Sequence, residues 1–347
     1  MKFVKPHIPS FLTPILLLLW TPMASWANGT PTDNHPALTD GPHVFYQQDK
    51  ILVKNFLIDG TNCKMEEQEF AVTEDVMLDC KLDPEGNVAF SFPLRKSIKA
   101  PRSVYAQPEK IFAISDIEGN FDAFVASLRG NGVIDYQFNW IYGQGHLVLV
   151  GDFFDRGDHV TACLWLIYKL EQEAIEQGGQ VHFIIGNHEE MNMRGDIRYV
   201  DDKYKAVARS LKMHCKELYG TSTELGRWLR TRNIVEKIGN TIFVHGGLSP
   251  QLAASGLPLK RINAIARAHM GRTMKEVELR EKGGKNTIVF AKTGPMWYRG
   301  YFNGDLDESG VRSVLAQYNA EHVVVGHTIM PEVSAHFNGA VYAIDVK

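Results

Sequence analysis

The stretch Leu147-Val148-Leu149-Val150-Gly151-Asp152-Phe153-Phe154-Asp155-Arg156-Gly157 decides the fold of this chain. Its apolar run reads as a buried β-strand. The run stops at Gly151, and Asp152, Asp155 and Arg156 follow. Gly151 and Gly157 permit a tight backbone around them. Working outward, the same pattern recurs four times. Ile111-Phe112-Ala113-Ile114 runs into Asp116 and Glu118, and Phe183-Ile184-Ile185 into Asn187-His188-Glu189. Ile242-Phe243-Val244 runs into His245-Gly246-Gly247, and Val323-Val324-Val325 into Gly326-His327-Thr328. Solvated loops would scatter Lys, Ser and Thr at such places. Capping and turn chemistry explains any single Asp of this set, but not five strand ends that all carry Asp, Glu, Asn, His or Arg.

Between these blocks the pattern switches to helices. Phe121 to Arg129, His159 to Gln177, Met191 to about Lys237, Leu259 to about Lys282 and Glu308 to Tyr318 are expected to be wholly or mostly helical. Alternating strands and helices imply a layered α/β architecture with ligands outside the strand ends. Upstream, residues 44–100 show short period-two runs broken by Asp59-Gly60 and Pro84-Glu85-Gly86, which predicts a small antiparallel β module free of chemical blocks. Ala100-Pro101 marks its boundary, and residues 105–347 are expected to form the catalytic domain. Residues 28–43 are polar and read as a flexible lead-in.

Residues 1–27 read as a cleaved signal peptide. Lys2 and Lys5 form the basic region, Leu12 to Trp20 the apolar region, and Ser25-Trp26-Ala27 the cleavage site. A retained anchor is the alternative. Cleavage predicts a periplasmic or secreted protein without a membrane partner, and removing Lys2 and Lys5 takes the formal charge from −3 to −5. With no long basic run, nucleic acid is not an expected partner. An oxidising compartment permits disulfides. Cys63 and Cys80 flank a strand-rich stretch and either pair or stay free, while Cys163 and Cys215 read as buried thiols.

Asp116, Glu118, Asp152, Asn187, His245 and His327 offer oxygen and nitrogen donors suited to two divalent cations, and Arg156 suits one phosphate. The motifs GDFFDRG, GNHE and HGG, with Thr293-Gly294-Pro295-Met296-Trp297-Tyr298-Arg299, resemble those of the phosphoprotein phosphatase branch of the calcineurin-like metallophosphoesterases. The finer resemblance is to the Shewanella-like phosphatases and the cold-active protein-tyrosine phosphatases of Shewanella-type bacteria. It covers about Lys110 to Lys347 and implies an α/β (α+β) β-sandwich flanked by helices.

The resemblance also implies roles. Asp152 bridges two metals, Asp116 with Glu118 completes the first, and Asn187, His245 and His327 complete the second. Arg156 and Arg299 grip phosphate oxygens, a bidentate task suited to guanidinium. His188 protonates the leaving oxygen and is oriented by Asp155. Two cations about 3.5–4 Å apart activate a water that attacks phosphorus directly. Glu189 holds its loop, and no Cys-x5-Arg loop offers a thiolate route.

The family pattern has His where this chain has Glu118. An anionic oxygen donor there favours Mn, Mg or Ca over Zn or Fe, unless Glu118 turns away and leaves the first site weak. Lesser expectations are Asp158 as a helix cap, and Tyr298, Tyr301 and Phe302 as either an aromatic wall or core. The segment from Arg194 to Lys216 reads as a solvated face or a lid. The functional expectation is an exported phosphomonoesterase. Its substrates would be phosphorylated protein, phosphotyrosine before phosphoserine or phosphothreonine, or small phosphomonoesters. Diadenosine-tetraphosphate hydrolysis, and an inactive metal-holding phosphoprotein-binding module, are the alternatives.

Overall fold

The computed structural model describes residues 37–60 and 62–346. The signal-peptide expectation for residues 1–27 lies outside them. Strands β1 (Leu38–Gln47), β2 (Lys50–Asp59) and β3 (Asn62–Ala71) form an antiparallel sheet, and β4 (Met77–Lys81) pairs with β5 (Val88–Pro93). After β6 (Val104–Tyr105), three strands run parallel: β7 (Ile111–Ile114), β8 (His146–Leu149) and β9 (Gln180–Phe183). A second sheet follows the order β13-β14-β12-β11-β10-β6. It adds β10 (Val235–Ile238), β11 (Thr241–Val244), β12 (His322–Val325), β13 (Ser334–His336) and β14 (Val341–Ala343).

The two sheets face each other. Val148, Val150 and Ile184 on one side meet Ile238, Phe243 and Val324 on the other, and all six are buried. This is the expected β-sandwich. Its strands are short apolar runs because both faces are covered. Register aligns the strand ends: Ile114 pairs with Leu149, Leu149 with Phe183, and Phe243 with Val324. Each chemical block therefore leaves the sandwich at the same edge.

Helices α1 (Phe121–Gly130), α2 (Val160–Glu176) and α3 (Asn187–Arg194) follow β7, β8 and β9 in turn. Asn120 caps α1, its side chain accepting from Ala123 N. Helix α2 packs on β9 and also on β1 and β4, so it is buried nearly all round. Trp165 Nε1 donates to Pro42 O at 2.8 Å, and Arg95 reaches Glu171 at 2.8 Å. The N-terminal module thus shares one apolar core with the sandwich.

Several expectations are corrected. The strand β1 begins at Leu38, inside the stretch read as a lead-in. Asp40-Gly41-Pro42 resembles a turn locally, but it is a bulge in a strand paired with β2. The segment from Met191 to Lys237 is not one long helical region. It breaks into α3, α4 (Asp202–Ser210), a 3-10 turn (Cys215–Tyr219) and α5 (Glu224–Leu229), then ends in strand β10. Helical charge periodicity hid these breaks, which Gly195 and Gly220 mark. Nor is it simply a solvated face: Lys203 is buried, with Nζ 3.3 Å from Asp40 Oδ1. Asp158 does not cap α2; His159 does, without a side-chain bond, while Asp158 Oδ1 meets His159 Nδ1 at 2.6 Å. Cys63, Cys80, Cys163 and Cys215 are all free thiols, with Cys63 and Cys80 on different sheets. Among the described residues no helix is long and apolar enough to cross a membrane.

Candidate metal centre

The blocks turn sharply as they leave the sheets. Asp116, Glu118, Asp152, Asp155, Arg156 and His327 all have positive φ, between 50° and 72°. Non-glycine residues rarely adopt this conformation, and it clusters where surroundings over-determine the backbone. Here neighbouring loops hold one another. Asp116 N donates to Gly151 O and Glu118 N to Asp152 O, both at 3.0 Å, and Gly157 N donates to Glu118 O at 2.8 Å. Two glycines permit the close approach. A Cβ on Gly151 would lie 2.8 Å from His245 Nδ1, and one on Gly186 would lie 2.2 Å from Asp152 Oδ1.

Glu189 locks the second and third blocks together. Its carboxylate accepts from Gly186 N and Phe153 N at 2.7 Å and from Asp152 N at 3.0 Å. The side chain is fully buried, so its expected role in holding the loop matches its contacts.

Asp152, His245 and His327 converge, with one donor atom from each within 4.8 Å of the others. His245 Nδ1 sits 2.8 Å from Val150 O, to which it donates. Nε2 then faces Asp152 Oδ2 and Asn187 Oδ1, each at 3.0 Å. A neutral ring would set one nitrogen lone pair against two oxygens. A cation between them removes that repulsion. Carboxylate, amide oxygen and two imidazoles thus fit a divalent ion, and the carbonyl that orients His245 is the outer support such ligands use.

Burial alone would lower the His245 pKa, but Asp152 and Asp116 raise it to about 10, so that without an ion a proton on Nε2 takes the place between the two oxygens that a cation would fill. Burial, with His245 and Arg299 nearby, pushes His327 down to about 2, which keeps its ring neutral, with Arg299 Nη2 3.3 Å from Nδ1 and Trp297 O 3.3 Å from Nε2. Asp116 is raised to about 7 by burial and by Asp152 and Asp345, against the pull of His245. It accepts from His327 N at 3.1 Å through Oδ2, which ties the first block to the fifth.

His188 stands at the N-terminal turn of α3. Its Nδ1 lies 2.6 Å from Asp155 Oδ2, and Asn192 Nδ2 holds the other oxygen of Asp155 at 2.7 Å. Burial opposes protonation of His188, but the bond to Asp155 and the charges of Asp152 and Asp155 raise its pKa. Arg299 donates through Nη1 to His327 O at 2.5 Å and to Thr328 Oγ1 at 3.1 Å. It therefore stands beside the cluster.

The two residues expected at the first metal, Asp116 and Glu118, both lie outside the Asp152–His245–His327 cluster, and Glu118 forms an ion pair with Arg156. Tyr298 and Tyr301 are buried core residues, not a wall, and Tyr301 hydroxyl bonds the backbone of Leu248. An exposed aromatic does border the site: the Tyr199 ring lies 5.3 Å from that of His188.

A groove of about 820 Å³ reaches the edge at Asp116, lined among others by Ser115, Asp116, Glu118, Arg156, His159 and Asp345. Two residues here escaped the sequence reading. Asn192 is four residues beyond His188 on one helix, a spacing that places both on one face. Asp345 follows the last strand, the position that marked every other block.

A catalytic edge of this kind on a two-sheet sandwich defines the metallophosphoesterase class. Residues 109–331 match the model of the calcineurin-like phosphoesterase family, and the chain belongs to that family. The crystal structure of a cold-active protein-tyrosine phosphatase from a psychrophilic Shewanella superposes with a TM-score of 0.79 at 32% identity, covering 88% of this chain and 90% of that one. Shewanella-like protein phosphatase 1 of Plasmodium berghei is 30% identical over 68% of this chain and 66% of its own. Shewanella-like protein phosphatase 2 of Arabidopsis thaliana is 26% identical over 65% and 67% respectively. The chain thus spans about two thirds of the length of these two relatives.

Proposed function

We propose that this protein is a dinuclear-metal phosphomonoesterase acting on phosphorylated protein, phosphotyrosine foremost, and exported from the cytoplasm. The observation that carries the reading is the convergence of His188, Asp155, Arg299 and the Asp152–His245–His327 cluster at one sheet edge. Asp116, Asp152, Asn187, His245 and His327 would hold the cations; the oxygen donors suit Mn or Mg, and the two imidazoles also suit Zn or Fe. The cations supply activation of water and charge stabilisation at phosphorus.

The chain's own residues do the rest. Arg299, already oriented by His327 O and Thr328, presents its guanidinium edge to phosphate. Arg156 joins it once released from Glu118. His188, whose pKa the bond to Asp155 raises against the pull of burial, gives its proton to the leaving oxygen. Asp155 and Asn192 fix the ring so that Nε2 faces Asp152, at 3.8 Å from Oδ2. Tyr199, 44% exposed beside His188, offers a face to an aryl leaving group, which supports the phosphotyrosine preference. Export rests on residues 1–27 alone and is tested by N-terminal sequencing of protein recovered from the periplasm.

A panel of phosphotyrosine peptide, phosphoserine peptide and dinucleotide tetraphosphate, assayed with manganese, tests the activity. Fastest turnover of the phosphotyrosine peptide is expected. A dinucleotide preference would overturn the protein-phosphatase reading, and no turnover of any substrate would leave a binding module.

A further inference from the structure

Asp345 is 5% exposed and lines the groove, yet its carboxylate makes no hydrogen bond or ion pair to any described residue. A carboxylate that stands on a groove wall with no protein partner of its own is placed to take a cation. The nearby guanidiniums do not fill that place: Arg299 donates to His327 O and Thr328, and Arg156 pairs with Glu118.

The sheet explains how Asp345 arrives there. β14 runs parallel to β12, with Ala343 opposite Val325, and Ile344 N donates to Val325 O at 2.9 Å. Two residues on, His327 and Asp345 leave adjacent strands side by side. Gly326 N donates to His245 O at 3.0 Å, so His245 leaves the next strand over. Three neighbouring parallel strands thus end in His245, His327 and Asp345 at one edge. Ser115, beside Asp116, puts a buried Oγ on the same groove wall, where it bears on the Asp116 carboxylate.

We propose that Asp345 belongs to the cation centre, supplying an oxygen donor, directly or through one water, to the ion held by Asp116, in the place that Glu118 leaves by pairing with Arg156. The inference rests on the two-cation reading above. A hard divalent ion such as manganese or magnesium suits the resulting carboxylate-rich site. The charge of Asp345 already bears on Asp116, His245 and Arg299, which is consistent with its facing this centre.

The test is manganese binding by calorimetry and by metal analysis after gel filtration, comparing the wild-type chain with Asp345→Asn and Glu118→Gln. Asp345→Asn is expected to weaken the weaker-bound ion by about 10–100-fold, with the second ion retained. Glu118→Gln should have the smaller effect. Equal affinities for wild type and Asp345→Asn would remove Asp345 from the centre and leave the proposed function standing. A wild-type chain that binds no manganese would remove the centre itself. Anomalous scattering from manganese-soaked wild-type crystals needs no variant: the Asp345 carboxylate should lie on an ion or one water from it. A carboxylate turned away from both ions overturns the role.

Discussion

Glu118 and Arg156, one expected to bind a cation and the other a phosphate, form an ion pair with each other. Both are partly exposed, so the pair is easily opened. Phosphate must compete with Glu118 for the guanidinium. Glu118→Gln should therefore tighten inhibition by inorganic phosphate severalfold, measured as Ki at fixed manganese. Weaker inhibition would show that Glu118 serves the cations rather than restraining Arg156.

His188→Ala should lower kcat by about 10²–10⁴-fold on peptide substrates. The loss should be smaller on p-nitrophenyl phosphate, whose leaving group needs less protonation. Equal losses on both would argue that His188 binds phosphate instead of moving a proton.

Tyr199→Ala should lower kcat/KM for phosphotyrosine peptides more than for phosphoserine peptides, because only the former present an aromatic ring. A contact of this kind contributes about 0.5–1.5 kcal/mol, so the preference should shift by up to about tenfold. An unchanged ratio assigns the preference to another surface.

Chelation should abolish activity and lower the melting temperature together. An ion present at about 100 times its Kd contributes about 2.7 kcal/mol to the folded state. Re-addition of manganese should restore both readouts. Full activity in excess chelator is the outcome that excludes a metal-dependent reaction.

Asp40 gives a stability prediction remote from the centre. It is buried with His43 Nε2 at 2.6 Å and Lys203 Nζ at 3.3 Å. Burial would raise its pKa, but Lys203 and His43 outweigh burial and hold it far below the ordinary value. A carboxylate depressed on folding contributes stability above its unfolded pKa, about 3.9, and that contribution is lost as pH falls towards the folded value. Asp40→Asn should cost about 3–5 kcal/mol near neutral pH, with the deficit shrinking below about pH 4. A deficit independent of pH in thermal melts would assign the loss to packing.

Much of this protein was legible in the chain alone. Apolar strands that stop at Asp116, Asp152, Asn187, His245 and His327 revealed a layered α/β architecture and the edge that carries its chemistry, because a buried strand and its exit turn are local patterns, while the sandwich was what the family resemblance implied. The pairing of His188 with Asp155, and the loop-holding role of Glu189, were implied by the family resemblance and match the contacts. Other features depended on register and packing between distant segments. Whether Glu118 reaches a cation or Arg156 depends on how the first and second blocks fold against each other. That Asp345 stands beside His327 depends on β14 pairing with β12, and that Asp40-Gly41-Pro42 is strand rather than turn depends on β2. Residue type and spacing decide which groups are available; only the pairing of strands far apart in sequence decides which of them meet.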